Sequence, residues 1–129
     1  MKKKILITGG RGYIGSVLAV NLKKKYSIYA LDKVDRNFFV KKKINYIKCN
    51  LLNYSKTRKI IEKIKPEIII HLAAQSTVDF IISKKNLYDL NNIKATQNIV
   101  RISKKLKIKK FIFASTAACL LYTSDAADE

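Results

Sequence analysis

Three glycines at every third position, Gly9, Gly12 and Gly15, have the spacing of a loop that could bind phosphate. An apolar run at residues 5–7 precedes them, and apolar residues recur at helical spacing over residues 14–22. This pattern predicts a strand, a tight turn and a helix in that order. Such a turn aims the first free N–H groups of the helix, and its positive dipole end, at the sheet edge where a pyrophosphate can bind.

Each of these glycines has a separate predicted role. Gly9 permits the sharp turn, Gly12 lets the backbone approach the phosphates, and Gly15 lets the helix pack closely on its strand. The alternative is a purely structural glycine turn. Because a strand precedes the glycines and a helix follows them, nucleotide binding is the favoured interpretation.

Asp32 closes a second predicted strand at residues 28–31. A carboxylate at this position can accept hydrogen bonds from both hydroxyls of an adenosine ribose, and its charge would repel a 2′-phosphate. This favours NAD over NADP. The alternative is a turn aspartate, and the neighbouring Lys33 and Arg36 could weaken the discrimination between the two cofactors.

Polar groups also end two later predicted strands. His71 lies at the end of the strand predicted at residues 67–72, and we interpret a lone histidine there as a hydrogen-bonded structural residue rather than a catalytic one. Ser115 and Thr116 leave two hydroxyls at the carboxyl end of the last predicted strand.

A parallel sheet would bring these residues to one edge. The predicted strands occupy residues 5–7, 28–31, 44–49, 67–72 and 111–116. They alternate with helical patterns, which predicts an α/β doubly wound (Rossmann) sheet of about five parallel strands in the order 3-2-1-4-5, truncated after strand five. A helix is predicted at residues 55–63 with Ser55 as its N-cap. A long crossover helix carries the apolar stripe Ala95, Ile99, Ile102 and Leu106.

Three strings of the sequence resemble a known family. They are Thr-Gly-Gly-Arg-Gly-Tyr-Ile-Gly at residues 8–15, His-Leu-Ala-Ala at residues 71–74 and Ser-Thr-Ala-Ala at residues 115–118. Together they resemble the extended short-chain dehydrogenase/reductases, and among these the NAD-dependent sugar-nucleotide epimerases and dehydratases. Residues 78–92 are most similar to the UDP-glucose 4-epimerase branch, although Phe80-Ile81 departs from its pattern.

The resemblance implies NAD as the cofactor and a nucleotide sugar as the substrate. It places Asn50, which replaces the usual aspartate, and Leu51 at the adenine, and it aligns Thr116 with a hydroxyl residue that hydrogen-bonds the reacting sugar oxygen. Thr116 is the one catalytic residue predicted, and no metal site is predicted. The predicted cofactor-binding residues are Gly9, Gly12, Tyr13, Ile14, Gly15, Asp32, Asn50, Leu51, Leu72, Ala73, Ala74, Asn91 and Ser115.

The tyrosine and the lysine four residues later that complete the family's catalytic site are not identifiable in this sequence. Tyr29 and Lys33 have that spacing, but they flank the end of the second strand on the ribose side, so we reject them. We expect this chain to be the NAD-binding part of a longer enzyme and to be inactive in its truncated form. The alternative is a stand-alone nucleotide-binding or sensor module without catalysis.

The formal net charge of +18 arises from 27 basic and 9 acidic side chains. The lysines are spread along the sequence without a recognised nucleic-acid-binding module, and a composition rich in residues of A/T-rich codons accounts for them, so no specific nucleic-acid partner is expected. Two cysteines cannot form a disulfide framework, and no apolar run approaches the length of a membrane span. We expect a cytoplasmic protein that is a possible homodimer when full length.

The composition changes abruptly near the end of the sequence. Residues 119–129 contain Asp125, Asp128 and Glu129 but none of the 27 basic side chains. We therefore predict an NAD-binding domain at residues 1–118 and a non-native acidic tail at residues 119–129, with a natural acidic tail as the alternative.

Overall fold

The computed structural model describes residues 1–34, 42–73 and 82–114, with the backbone alone at residues 82–89 and 91. The elements are β1 (Lys4–Thr8), α1 (Tyr13–Leu22), β2 (Ser27–Asp32), β3 (Ile44–Lys48), α2 (Tyr54–Ile64), β4 (Ile68–His71), α3 (Ile82–Lys105) and β5 (Lys110–Phe113). None of the helices within these ranges is long and apolar enough to cross a membrane.

The five strands form one parallel sheet in the order β3-β2-β1-β4-β5, which confirms the predicted α/β doubly wound architecture and strand order. The chain leaves β1 toward β2 on one side and returns from β3 to β4 on the other. The carboxyl ends of β1 and β4 are neighbours, because Thr8 pairs with His71 in the register. A crevice therefore opens at this edge, where the direction of winding reverses.

The sheet is apolar on both faces because helices cover both faces. On one face Leu6, Leu31 and Ile69 pack with residues of α2 and α3 such as Ile61 and Ile102. On the other face Ile5, Ile7, Ile28 and Ile70 pack with Ala19 of α1. The central strand β1 contributes to both clusters and anchors the turn that follows it.

Helix α1 differs from the sequence-based expectation in where it begins and in which side chains it buries. It begins at Tyr13, so the last glycine of the triplet lies inside the helix rather than before it. Its buried residues are Gly15 and Ala19, whereas Ile14 and Val17 are exposed. The small residues face the sheet because α1 packs so closely on the preceding turn that larger side chains do not fit there.

Other boundaries also differ from the prediction, at the start of α2 and at the ends of β3, β4 and β5. The N-cap of α2 is Asn53, whose side-chain oxygen accepts a hydrogen bond from the Lys56 amide, so the prediction of Ser55 is wrong. Strands β3 and β4 each end one residue early. Strand β5 ends at Phe113, and its predicted last residues, Ser115 and Thr116, lie outside the described residues.

Candidate functional site

A tight turn joins β1 to α1 at the carboxyl edge of the sheet. The Gly12 amide donates to the Gly9 carbonyl oxygen at 3.0 Å, and the Gly10 amide donates to the Leu31 carbonyl oxygen at 3.1 Å. Gly9 has a φ of +69°, which side chains other than glycine adopt at a cost. A Cβ at Gly9 would also lie 3.0 Å from the Ala73 nitrogen, so the turn and the segment after β4 are in close contact.

The remaining glycines divide into two whose Cβ would overlap several protein atoms and one, Gly12, whose Cβ would approach a single described atom. A Cβ at Gly15 would overlap the Gly9 carbonyl oxygen, and one at Gly10 would lie 2.5 Å from the Ala30 Cβ. Among the described atoms, a Cβ at Gly12 would approach the Gly9 carbonyl oxygen alone, at 3.2 Å. The absence of a side chain at Gly12 therefore preserves free space at the start of the helix, as a phosphate site requires. Sequence reasoning missed the packing role of Gly10, for which the Gly-Gly pair was the available signal.

The first turn of α1 is left without a side-chain cap. Its N-cap residue is Gly12, and no side chain there accepts a hydrogen bond from the first amides. The first turn contains no acidic residue, and Tyr13 and Ile14 are exposed at 85% and 63%. The positive end of the helix dipole is therefore not neutralised by α1 itself, so it favours an anion at this edge.

Asp32, at the end of β2, lies directly beside this turn. Its Oδ2 accepts a hydrogen bond from the Arg11 amide at 3.1 Å, and its Oδ1 accepts one from the Val34 amide at 3.3 Å. A carboxylate has about four acceptor sites, so it can accept further hydrogen bonds from hydroxyl groups. The Arg11 guanidinium lies 4.4 Å from the centre of the Tyr46 ring, and sequence reasoning did not single out either residue.

A buried hydrogen-bond network joins the carboxyl ends of β1 and β4. The Thr8 hydroxyl lies 2.6 Å from His71 Nδ1, and its oxygen accepts hydrogen bonds from the amides of Leu72 and Ala73 at 3.0 and 3.2 Å. The hydroxyl proton is therefore directed to Nδ1, which leaves the His71 proton on Nε2 to donate to the Thr96 hydroxyl at 3.0 Å. The network fixes the segment that contacts Gly9.

The His71 ring is enclosed as well as hydrogen-bonded. It is 1% exposed and stacks on Phe113 with ring centres 5.6 Å apart. Burial lowers the pKa of His71 to about 4, because the charged imidazolium would lose its hydration. His71 is thus neutral near pH 7, and its contacts are those of the structural residue that we expected.

Asn50 and Leu51 lie after β3 and are held by local hydrogen bonds. The Asn50 side-chain oxygen accepts from the Leu52 amide at 3.0 Å, and Asn98 donates to the Leu51 carbonyl oxygen at 2.8 Å. The Leu51 side chain is buried with Leu31 in the core. Their roles at an adenine stay predictions.

The predicted site residues fall into two groups. The structure brings together at the carboxyl edge Gly9, Gly12, Tyr13, Ile14, Gly15, Asp32, Asn50, Leu51, Leu72 and Ala73. Ala74, Ser115 and Thr116 lie outside the described residues, and Asn91 lies in α3 within the part described by its backbone alone. The uncapped start of α1 and the Asp32 carboxylate thus lie side by side, an arrangement with which the pyrophosphate and ribose of a dinucleotide are chemically compatible.

The sequence of this chain is similar to those of known proteins. Residues 5–126 match the sequence profile of the NAD dependent epimerase/dehydratase family. The chain is 42% identical over 125 residues to a dTDP-D-glucose 4,6-dehydratase of Dictyostelium discoideum, covering 88% of this chain and 29% of that protein. It is 31% identical over 124 residues to a UDP-glucose 4-epimerase of Mycoplasma pneumoniae, covering 91% of this chain and 37% of that protein.

Solved structures show the same fold. The UDP-glucose 4-epimerase of Thermotoga maritima with UDP-glucose superposes with a TM-score of 0.81 at 28% identity, over 88% of this chain and 38% of that one. The UDP-glucose 4-epimerase of Brucella ovis in complex with NAD superposes with a TM-score of 0.81 at 25% identity, over 90% of this chain and 36% of that one. The chain therefore spans between about a quarter and two fifths of the length of these proteins.

Proposed function

Because this chain belongs to the NAD dependent epimerase/dehydratase family, we propose that it is the NAD-binding part of an enzyme that acts on the sugar of a nucleotide sugar. The observation that carries the proposal is the start of α1, which has no side chain at Gly12 and no side-chain cap, with the Asp32 carboxylate beside it. An anion site and a hydroxyl-binding carboxylate side by side match the pyrophosphate and the adenosine ribose of NAD.

The described residues hold the cofactor in this proposal. The first amides of α1 donate to the pyrophosphate, the backbone at Gly12 approaches it closely, and Asp32 accepts hydrogen bonds from the adenosine ribose. The Thr8 and His71 network keeps Ala73 against Gly9 and so fixes the crevice between β1 and β4. When bound, NAD supplies the acceptor for a hydride from sugar C4.

Chemistry on the sugar requires groups beyond these. Thr116 is proposed to hydrogen-bond the reacting hydroxyl. An unassisted threonine hydroxyl is too weakly acidic to be ionised near pH 7, so it cannot act as the base that removes the proton. We therefore propose that residues 1–118 bind NAD, that residues 119–129 take no part in the site, and that the 129-residue chain does not turn over. Epimerisation of a UDP-sugar is the proposed reaction of a longer protein, and homodimer assembly and a cytoplasmic location stay predictions for it.

The preference for NAD over NADP tests the assignment of Asp32. Isothermal titration of the chain with each cofactor should show tighter binding of NAD, because the carboxylate would repel a 2′-phosphate. Asp32→Ala should weaken NAD binding tenfold or more and narrow the gap to NADP, since hydrogen bonds to a charged group are lost. Glu62→Ala removes the same charge on α2 and should leave both affinities unchanged. Equal binding of the two cofactors by the unmodified chain would contradict the proposal.

An activity assay separates the proposal from a stand-alone nucleotide-binding module. The chain should give no product with UDP-glucose, UDP-galactose or dTDP-glucose in the presence of NAD, because the proposed site relies on Thr116, whose hydroxyl alone is too weak a base. A longer version encoded by the source gene should turn over one of them. Reproducible turnover by the 129-residue chain that is lost on Thr116→Val would overturn the truncated assignment, and an inactive longer version that binds NAD would favour the module.

A further inference from the structure

Lysines are concentrated at the amino edge of the sheet, opposite the proposed cofactor site. Because the strands are parallel, their first residues and the ends of the helices lie at the same edge. More than half of the 27 basic residues of the chain lie there. These amino-edge lysines are Lys2, Lys3, Lys4, Lys23, Lys24, Lys25, Lys42, Lys43, Lys63, Lys65, Lys104, Lys105, Lys107, Lys109 and Lys110.

Contacts between neighbouring segments hold these lysines in one continuous surface. Lys2 Nζ donates to the Lys23 carbonyl oxygen at 3.1 Å, and Lys23 Nζ donates to the Lys42 carbonyl oxygen at 3.4 Å. Lys4 Nζ donates to the Ile64 carbonyl oxygen at 3.1 Å. Since adjacent strands lie about 4.8 Å apart, the five-stranded edge is about 19 Å across.

Composition alone does not explain this distribution. A lysine-rich composition would place lysines over the whole surface, but the described part of the carboxyl edge carries far fewer basic side chains. Those that follow a strand or begin a helix there are Arg11, Lys33, Lys48, Lys56, Lys84 and Lys85. Among the described residues, more basic side chains therefore lie at the amino edge than at the carboxyl edge.

Backbone conformation gives a second, independent sign that lysine is specified at this edge. Lys43, Lys65 and Lys107 have φ values of 67°, 55° and 54°, and they are the non-glycine residues with positive φ in the described part of the chain. Glycine or asparagine would adopt this left-handed conformation with less strain. Asparagine also has A/T-rich codons, so a bias toward such codons does not explain why lysine rather than asparagine occurs at these three positions. Helix dipoles favour a cation at Lys65 and Lys107, but Lys43 directly precedes β3.

Few carboxylates offset the charge of this surface. Among the described residues, Glu67 Oε2 lies 3.7 Å from Lys109 Nζ, and Glu62 is paired with Arg58. A groove of about 440 Å³ between the ends of α2 and α3 is lined by both glutamates and by Lys65, Lys107 and Lys109. The surface as a whole remains strongly positive.

We propose that the amino-edge lysines bind the phosphate backbone of a nucleic acid without reading its sequence. A duplex carries one phosphate charge per about 1.7 Å with both strands counted, so about 11 phosphates lie along a 19 Å contact, and about half of them face the protein, a number that the exposed lysines can match. An anionic membrane fits less well, because proteins that bind membranes peripherally combine basic residues with apolar ones that insert. The large exposed apolar side chains of the described part, other than Met1, lie elsewhere: Tyr13, Ile14, Val17, Val34, Leu90, Ile93, Ile112 and Phe113.

The test is the binding of a fluorescein-labelled 20-base-pair DNA duplex to the 129-residue chain, followed by anisotropy at 50 to 200 mM NaCl. We expect log Kd to depend linearly on log salt with a slope equivalent to about four to six phosphate contacts, so that affinity falls on the order of 10² to 10³-fold over this range. A duplex of different sequence should bind equally well.

Two triple variants with the same change in net charge distinguish binding at the amino-edge lysines from binding through the overall positive charge of the chain. Lys43→Asn, Lys65→Asn and Lys107→Asn together relieve left-handed strain, so the variant should fold as well as its parent. It should bind the duplex at least tenfold more weakly at 100 mM salt, with a smaller salt slope. Lys56→Gln, Lys59→Gln and Lys94→Gln together remove three charges from α2 and α3 away from the edge, and should change affinity less than threefold.

Each other outcome counts against the proposal. Equal losses in the two triple variants would show that net charge alone drives binding. No binding at 100 mM salt, or tighter binding to phosphatidylserine vesicles than to the duplex, would overturn it. NAD binding is measured separately on the same variants and should be unchanged, so a failure of the proposed function at the opposite edge is distinguishable from a failure of this inference.

Discussion

Acidification should destabilise this fold through one buried histidine. His71 is the single histidine of the chain, and burial holds its pKa at about 4 in the folded state. In the unfolded state its pKa should be about 6.5. Between these values the unfolded chain binds more protons than the folded chain, so stability falls as pH decreases from about 6.5 to about 4.

The hydrogen-bond network gives the same direction. A proton on His71 Nδ1 would need an acceptor, but the Thr8 oxygen already accepts the amides of Leu72 and Ala73. Linkage between the two pKa values predicts a loss of about 2 kcal/mol in the free energy of unfolding between pH 7.5 and pH 5. Carboxylates titrate mainly below this range, so the histidine should account for most of the change.

Urea denaturation followed by far-UV circular dichroism at the two pH values measures this loss. His71→Gln should be less stable than the parent at pH 7.5, because the buried ring and its hydrogen bonds are lost, but its stability should change little between pH 7.5 and pH 5. A proton NMR titration of the His71 ring gives the folded pKa directly. A folded pKa near 6.5, or an equal pH dependence in His71→Gln, would refute the reasoning.

Two further predictions concern the elements around the site. Gly15→Ala should lower the free energy of unfolding by about 1–3 kcal/mol in urea denaturation, because its Cβ would overlap the Gly9 carbonyl oxygen, and unchanged stability would show that α1 moves away freely. Asn53→Ala should cost about 1 kcal/mol through loss of the N-cap of α2, whereas the matched Ser55→Ala should cost only a few tenths; the reverse order would restore the sequence-based assignment.

The strand order could be predicted because it follows from a small number of local sequence patterns. Apolar runs such as residues 5–7 and 68–70, separated by helical patterns, require right-handed crossovers and hence a doubly wound parallel sheet. The glycine spacing identified the turn after β1, since only a strand on one side and a helix on the other give those glycines a role. The position of Asp32 followed from the end of β2.

Other features had no local signal. Asn53 and Ser55 are both good N-cap residues, and only the direction in which the chain enters α2 selects between them. The apolar spacing of Ile14 and Val17 indicated the wrong face of α1, because close packing on the Gly9 carbonyl selects small residues instead. The partners of His71 lie 63 and 25 residues away in sequence, so its network depended on tertiary structure.

The most direct test of the central claim is NAD binding by Gly12→Val, measured by isothermal titration. We predict that binding is abolished while the far-UV circular dichroism is retained, because the added side chain occupies the proposed phosphate space and its Cβ would approach one described atom, the Gly9 carbonyl oxygen, at 3.2 Å. Asn21→Val adds the same side chain to an exposed position of α1 and should bind NAD like the parent. Unaltered NAD affinity in Gly12→Val would contradict the assignment of this turn as the phosphate site.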